Sequence, residues 1–332
     1  MKRYKHLLLI LAIFQFSFVQ GQKINGVSFV ASYGAIDAQH VQPVLKVHAS
    51  HVALMPFAFM KDLADPSLVF NTDRQWFGET EKGLVHYAHE FKKKHIKVMV
   101  KPQIWVSKGR FTGLIAMTSE EDWSLFEARY EKYILAYAVI AEKIQAAILC
   151  VGTELGDFVA QRPKFWNELI AKIKRVYKGK LTYAANWDEF KRVSFWGQLD
   201  FIGVDAYFPL SAEKTPTVAD FEKGWQPHKK EIKMVQQRYQ KSILFTEYGY
   251  RSVDFTGQNP WDSNHVEGGV NLLAQANATQ AIYNQFWKED WFAGGFIWKW
   301  FHNHSDSGGN DNNRFTPQNK PAEILLRKLY AH

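Results

Sequence analysis

The chain has 332 residues, 46% hydrophobic and 22% charged, which excludes a disordered or collagen-like protein and leaves room for two domains or for one barrel of about 250 residues or more. A single cysteine excludes an intramolecular disulfide and a cysteine-rich zinc site. Beyond residue 21, 38 Lys and Arg face 33 Asp and Glu; a balance of +5 is too mild to point to nucleic acid. Trp 12, Tyr 14 and Phe 25 make the aromatic content high, and a surplus of flat apolar rings is what a cleft for sugars needs.

Residues 1–21 read as a secretory signal. Lys2, Arg3 and Lys5 precede an apolar run over 7–19, too short for the roughly 20 residues of a bilayer span, and cleavage is expected before Gln22 or Lys23. The mature chain, 22–332, is then expected to be secreted or periplasmic, off the membrane and monomeric. No later stretch is long and apolar enough to span a bilayer, and Cys150, inside an apolar run, reads as a small buried hydrophobe.

From residue 22 onward one rhythm repeats. Strand-like runs fall at 24–30, 51–59, 96–105, 146–155, 180–187, 200–210, 242–250 and 293–301. Helical spacing of three and four fills 81–94, 120–144, 163–177, 218–240 and 271–290, and a last short helix follows Pro321. Eight strand–helix units predict a single (β/α)8 TIM barrel. An open doubly wound sheet would carry a glycine-rich first turn, but Gly26 stands alone before Gly34.

In such a barrel the chemistry gathers at the C-terminal strand ends. Those ends carry Lys101, Gln103 and Trp105; Glu154; Asn186 and Trp187; Asp205 and Tyr207; Glu247 and Tyr248; Trp298 and Trp300. Glu154 ends the fourth apolar run, in CVGTELGD, and Glu247 the seventh, in LFTEYGYR. Side-chain alternation groups Cys150 and Gly152 with Glu154, and Ile243 and Phe245 with Glu247; if those faces are the interior, both carboxylates point into the mouth. A carboxyl pair about 5–5.5 Å apart performs retaining glycoside hydrolysis. The alternative is that each glutamate merely pairs with a buried Lys or Arg.

The GTEL segment at 152–155 and TEYGY at 246–250 resemble clan A retaining glycoside hydrolases, most of all the family 113 β-mannanases. The likeness extends to NW at 186–187, DAYFPL at 205–210, FIWKWF at 296–301 and TPQNKPAE at 316–323. It implies a cofactor-free enzyme, without a metal, acting on a polysaccharide or oligosaccharide of β-linked hexoses, above all β-1,4-mannan. Glu154 would be the acid/base and Glu247 the nucleophile. Tyr207 would donate a hydrogen bond to Glu247, Trp298 would lie beneath the sugar, and Asn186, Lys101 and Gln103 would contact its hydroxyls. Many clan members carry Asn just before the acid/base; here Thr153 stands there, so the contact to the 2-OH passes to another residue, with Asn186 as candidate.

Other readings stay open beside these. Trp105 and Trp187 either line the cleft or cap the core, and Trp300 either follows Trp298 or sits under a loop. Lys101 either touches sugar or neutralises a carboxylate. Asp205 and Asp157 read as structural, and Arg251 as a partner for Glu247 or for an exposed acid. In the stretch 258–269, Trp261 and His265 are candidate sugar contacts, while 302–315 reads as a flexible loop whose spacing matches no metal motif. Rival functions are a β-glucanase or β-glucosidase of the same clan, and a catalytically silent carbohydrate-binding barrel.

Overall fold

The computed structural model describes residues 22–262 and 269–331. Residues 1–21, expected to be a signal, and the candidate His265 lie outside the described residues. Eight parallel strands close into a barrel: β1 (Ile24–Phe29), β2 (His51–Leu54), β5 (Lys97–Val100), β7 (Ile148–Thr153), β8 (Lys180–Asn186), β9 (Phe201–Asp205), β10 (Ser242–Tyr248) and β11 (Phe292–Trp300). Around it run α1 (Ala38–Lys46), α2 (Glu81–Lys92), α3 (Glu120–Lys143), α4 (Gly156–Gln161), α5 (Pro163–Val176), α6 (Val218–Tyr239), α7 (Leu272–Phe286) and α8 (Pro321–Tyr330). The (β/α)8 expectation holds, with one departure. Between β8 and β9 a single turn at Trp196–Gln198 replaces the helix, and buried Phe190, Phe195 and Trp196 cover that flank of the barrel.

Local chemistry accounts for the helix starts. Thr80, Ser119, Thr217 and Asn271 each accept a first-turn amide with the side chain. Pro163 and Pro321 occupy the first helical position, where no amide hydrogen is needed. In α5, Trp166, Leu169, Ile170 and Ile173 form the buried stripe that a period of 3.6 requires.

The second and third apolar runs do not form single strands. Each is cut by a proline, Pro56 or Pro102, which lacks the amide hydrogen a ladder needs. Beyond the cuts the chain leaves the barrel. Segments β3 (Phe57–Met60) and β6 (Gln103–Val106) pair with each other, and β4 (Val69–Phe70) joins them, so a small side sheet rises above the mouth. The Tyr133 hydroxyl lies 2.9 Å from the carbonyls of both Pro56 and Gln103 and ties the two exits together. In β6, Ile104 and Val106 are buried, whereas Gln103 and Trp105 face the cleft.

Inside the barrel, Ile24, Ala53, Met99, Ile148, Leu244 and Phe296 pack as one cluster. The outer face of β10 meets the helices: the Phe245 ring lies 4.8 Å from Phe286 and 6.0 Å from Trp225.

Candidate active site

Leu244 in the interior and Phe245 against the helices overturn the simple alternation argument. Ile243 and Phe245 do not share a face with Glu247; they point outward. A register shift between Phe245 and Glu247 inserts a residue, so Thr246 and Glu247 both face inward. The same device operates on β7, where the register shifts between Cys150 and Thr153. Gly152 faces outward: a Cβ there would come within 2.6 Å of the Tyr130 hydroxyl and 2.8 Å of the Trp166 ring. Glu154 follows with φ of 50°, a left-handed conformation that costs a non-glycine residue roughly 1–3 kcal/mol. Two bulges, rather than an unbroken period of two, bring both carboxylates to the mouth.

Glu154, Glu247, Gln103, Trp105 and Trp298 line one cleft of about 640 Å³. Trp298 is half-buried beside the acids, and Trp105 stands 51% exposed on the side sheet. Trp76, Phe111, Arg74 and Arg110 complete the far wall, and none of them stood out in the sequence because they lie in connections rather than at strand ends. Lys299 also lines the cleft, its ammonium 5.2 Å from the Trp298 ring and 5.3 Å from that of Phe301. Burial lowers its pKa from the usual lysine value.

Beneath the cleft lies a charged cluster. Lys101, wholly buried, donates to both oxygens of Asp205 at 3.2 and 3.1 Å and to Glu247. Gln103 donates to the same Glu247 oxygen at 3.2 Å, and the Tyr207 hydroxyl to the other at 2.6 Å. Thr246 donates to Asp205 at 2.7 Å. Both oxygens of Glu247 therefore act as acceptors, which suits a carboxylate. The expected hydrogen bond from Tyr207 is present. Lys101 does not reach the cleft as a sugar contact; it neutralises carboxylates, as the alternative reading had it. Its pKa is raised, because the charges of Asp205 and Glu247 outweigh the opposing effect of burial. Burial and the neighbouring Glu247 push Asp205 up.

Glu154 has a different environment. Its carboxyl makes no hydrogen bond with any described residue. Burial, then the charges of Asp205 and Glu247, raise its pKa well above the ordinary carboxyl range, against a smaller opposing effect from Lys101. The two glutamates thus share a cleft but differ in hydrogen bonding: Glu247 accepts from Lys101, Gln103 and Tyr207, whereas the Glu154 carboxyl accepts from no described residue.

Several candidates lie outside the cleft lining. Asn186 accepts the Trp187 amide with its side-chain oxygen at 2.7 Å. Trp187 stacks on Trp261 with ring centroids 5.1 Å apart and packs edge-on against Phe208, so it both caps the core and forms a platform with Trp261. Trp300 is fully buried and does not follow Trp298. Arg251 is buried and donates to the carbonyls of Asn313 and Asp262. Asp157 lies in the first turn of α4. The segment 302–315 is tied down: Glu323 bonds His304, and Lys320 donates to Asn312 and to the carbonyl of Arg314. Among the described residues no group of three His, Cys, Asp or Glu side chains is placed to hold a metal ion. No helix among them is long and apolar enough to cross a membrane.

Glu189 escaped the sequence reading. It is 4% exposed and accepts from the Tyr183 hydroxyl at 2.7 Å and the Asn186 amide at 3.1 Å. Its place three residues after Asn186 has the spacing of a capping box, the one signal that could have marked it.

Comparison with known proteins agrees with this fold. The Glycoside Hydrolase Family 113 profile matches residues 32–320. A family 113 β-mannanase from Alicyclobacillus acidocaldarius is 23% identical and superposes with a TM-score of 0.81 over 93% of this chain and 97% of its own. A family 113 β-1,4-mannanase is 22% identical, with a TM-score of 0.81 over 93% and 99%. A β-glucuronidase from Faecalibacterium prausnitzii, 12% identical, shares the barrel at a TM-score of 0.60 over 93% of this chain and 49% of its own. No curated protein sequence matches. The profile match spans most of the chain, and the chain accordingly belongs to Glycoside Hydrolase Family 113 and is a glycoside hydrolase.

Proposed function

We propose that the protein hydrolyses β-1,4-mannan or manno-oligosaccharides with retention of configuration, Glu154 serving as acid/base and Glu247 as nucleophile. One observation carries the mechanism: in a single cleft, one glutamate is held toward its protonated form while the other has both oxygens occupied as acceptors. The mannan preference rests on the family and on the β-mannanases that share the fold.

In the first step Glu154 gives its proton to the glycosidic oxygen as the bond to the anomeric carbon breaks. A Glu247 oxygen forms the new bond to that carbon. The ester removes the charge of Glu247, one of the causes that raised the Glu154 pKa, so that pKa falls and Glu154 is left ionised, as a general base must be. In the second step Glu154 takes a proton from water, the water oxygen bonds the anomeric carbon, and the bond to Glu247 breaks. Trp298, Trp105 and Gln103 are assigned to sugar binding, and the Trp187–Trp261 platform to a further sugar unit. We also propose, on their sequence pattern, that residues 1–21 are a secretory signal and that the mature protein acts outside the cytoplasm; that it acts as a monomer is a separate part of the proposal.

Glu247→Gln preserves shape, and it is expected to lower kcat on mannan by a factor of about 10⁴ or more while the melting temperature stays at or above the parent's. A folded Glu247→Gln protein with parental turnover would refute the assignment. Assays on mannan, glucomannan, cellulose and xylan identify the substrate.

A further inference from the structure

The peptide that follows Glu154 is held from behind. The amide of Leu155 donates to the Tyr183 hydroxyl at 2.7 Å, and that hydroxyl donates onward to Glu189 at 2.7 Å. The other Glu189 oxygen accepts the Asn186 amide at 3.1 Å, so one buried carboxylate joins the ends of β7 and β8. Tyr183 is fully buried, wedged among Trp166, Phe195 and Trp196. Glu154 itself occupies the left-handed region, and its own amide is fixed to the Ala184 carbonyl at 2.8 Å. A conformation that a non-glycine residue adopts reluctantly persists only where its surroundings hold it. Here those surroundings are two consecutive amides, one anchored on β8 backbone and the other on the Tyr183–Glu189 pair.

We propose that Tyr183 and Glu189 are positioning residues for Glu154: the chain Glu189 carboxylate, Tyr183 hydroxyl, Leu155 amide aims the Glu154 carboxyl at the leaving-group oxygen. Neither residue lines the cleft, and neither touches a reacting atom. Glu154 is also surrounded by the charges of Asp205, Glu247, Lys101 and Glu189, and Glu189 adds to those that favour its protonated form. Glu189 in turn faces Tyr183, Arg192 and Asp205.

This inference rests on the assignment of Glu154 as the acid, and its test separates the two. Tyr183→Phe and Glu189→Gln nearly conserve volume. Their kcat/KM, which reports the steps through glycosylation, is measured on a manno-oligosaccharide and on a dinitrophenyl β-mannoside whose phenol leaves without protonation. Misplacing the acid slows only the first substrate. The expected result is a fall of about 10-fold or more on the oligosaccharide, with the aryl mannoside kept within about 2-fold. Equal losses on both substrates, or none on either, would overturn the positioning role. Glu154→Gln is the reference. If it too lacks the leaving-group selectivity, the assignment of the acid fails, whatever the Tyr183 and Glu189 variants do.

Discussion

Removing the Lys101 ammonium would leave Asp205 and Glu247 facing each other in a wholly buried site with no cation between them. Lys101→Met should therefore destabilise the fold by about 3–5 kcal/mol at pH 7, because a buried charge stripped of its partner bears its full desolvation cost. The deficit should shrink as the pH falls from about 7 toward 4, because Asp205, pushed up to about 7 by burial and by Glu247, takes up a proton over that range. Urea titrations of both proteins at the two pH values measure this; a deficit that grows on acidification would contradict the charge argument. At this scale much was legible. Glu154, Glu247, Tyr207 and Trp298 stood out because polar or large aromatic residues ending apolar runs have few reasons to be there. Asp205 was visible but not its partner, since the Lys101 contact joins positions 104 residues apart and no local pattern encodes it. Glu189 was hidden in a connection with no regular element.

The side sheet is the element that turns a barrel mouth into a cleft. Its β6 edge presents Trp105 to the cavity on a backbone that Ile104 and Val106 anchor in the core. Trp105→Ala should raise KM for a manno-hexaose about 10-fold with kcat little changed, the loss of roughly 1.4 kcal/mol of uniform binding. Stability should stay within about 0.5 kcal/mol, because the ring is half in solvent. Unchanged KM would remove Trp105 from the binding surface. Sequence periodicity reads β2 with β3, and β5 with β6, as single strands, since the apolar pattern runs through Pro56 and Pro102; the prolines were the available warning. The two bulges were less accessible. Alternation led to the right destination for both glutamates along the wrong path, because an inserted residue changes the face without changing composition. Gly152 is the trace such a bulge leaves, a position where any side chain would strike Tyr130 and Trp166.

For the whole molecule, the eight-strand barrel was legible from the alternation of short apolar runs with helical spacing, and the missing helix after β8 was not, because its aromatic replacement reads as an ordinary connection. Global stability carries a titration signature at the opposite end of the barrel from the cleft. His51, buried in β2 and bonded to the Ser50 hydroxyl at 2.8 Å, has its pKa lowered to about 4 by burial and by Lys97. Between that value and the usual 6.5 the unfolded chain binds a proton that the folded chain does not, so His51 withdraws stability as pH falls through this window, by as much as about 3 kcal/mol. Glu189, raised to about 7 chiefly by burial, acts in the opposite sense. The comparison of the parent with His51→Gln isolates the histidine: the variant should lose less stability between pH 6.5 and 4, and parallel curves would show that His51 is not the group responsible.

The central claim, that Glu247 attacks the anomeric carbon of a β-mannosyl unit, is tested most directly by trapping the ester. Incubation with 2-deoxy-2-fluoro-β-mannosyl fluoride, followed by intact mass and peptide mapping, should show one fluoromannosyl adduct on Glu247. An adduct on another carboxylate, or turnover of mannan with inversion and no adduct, would contradict the account.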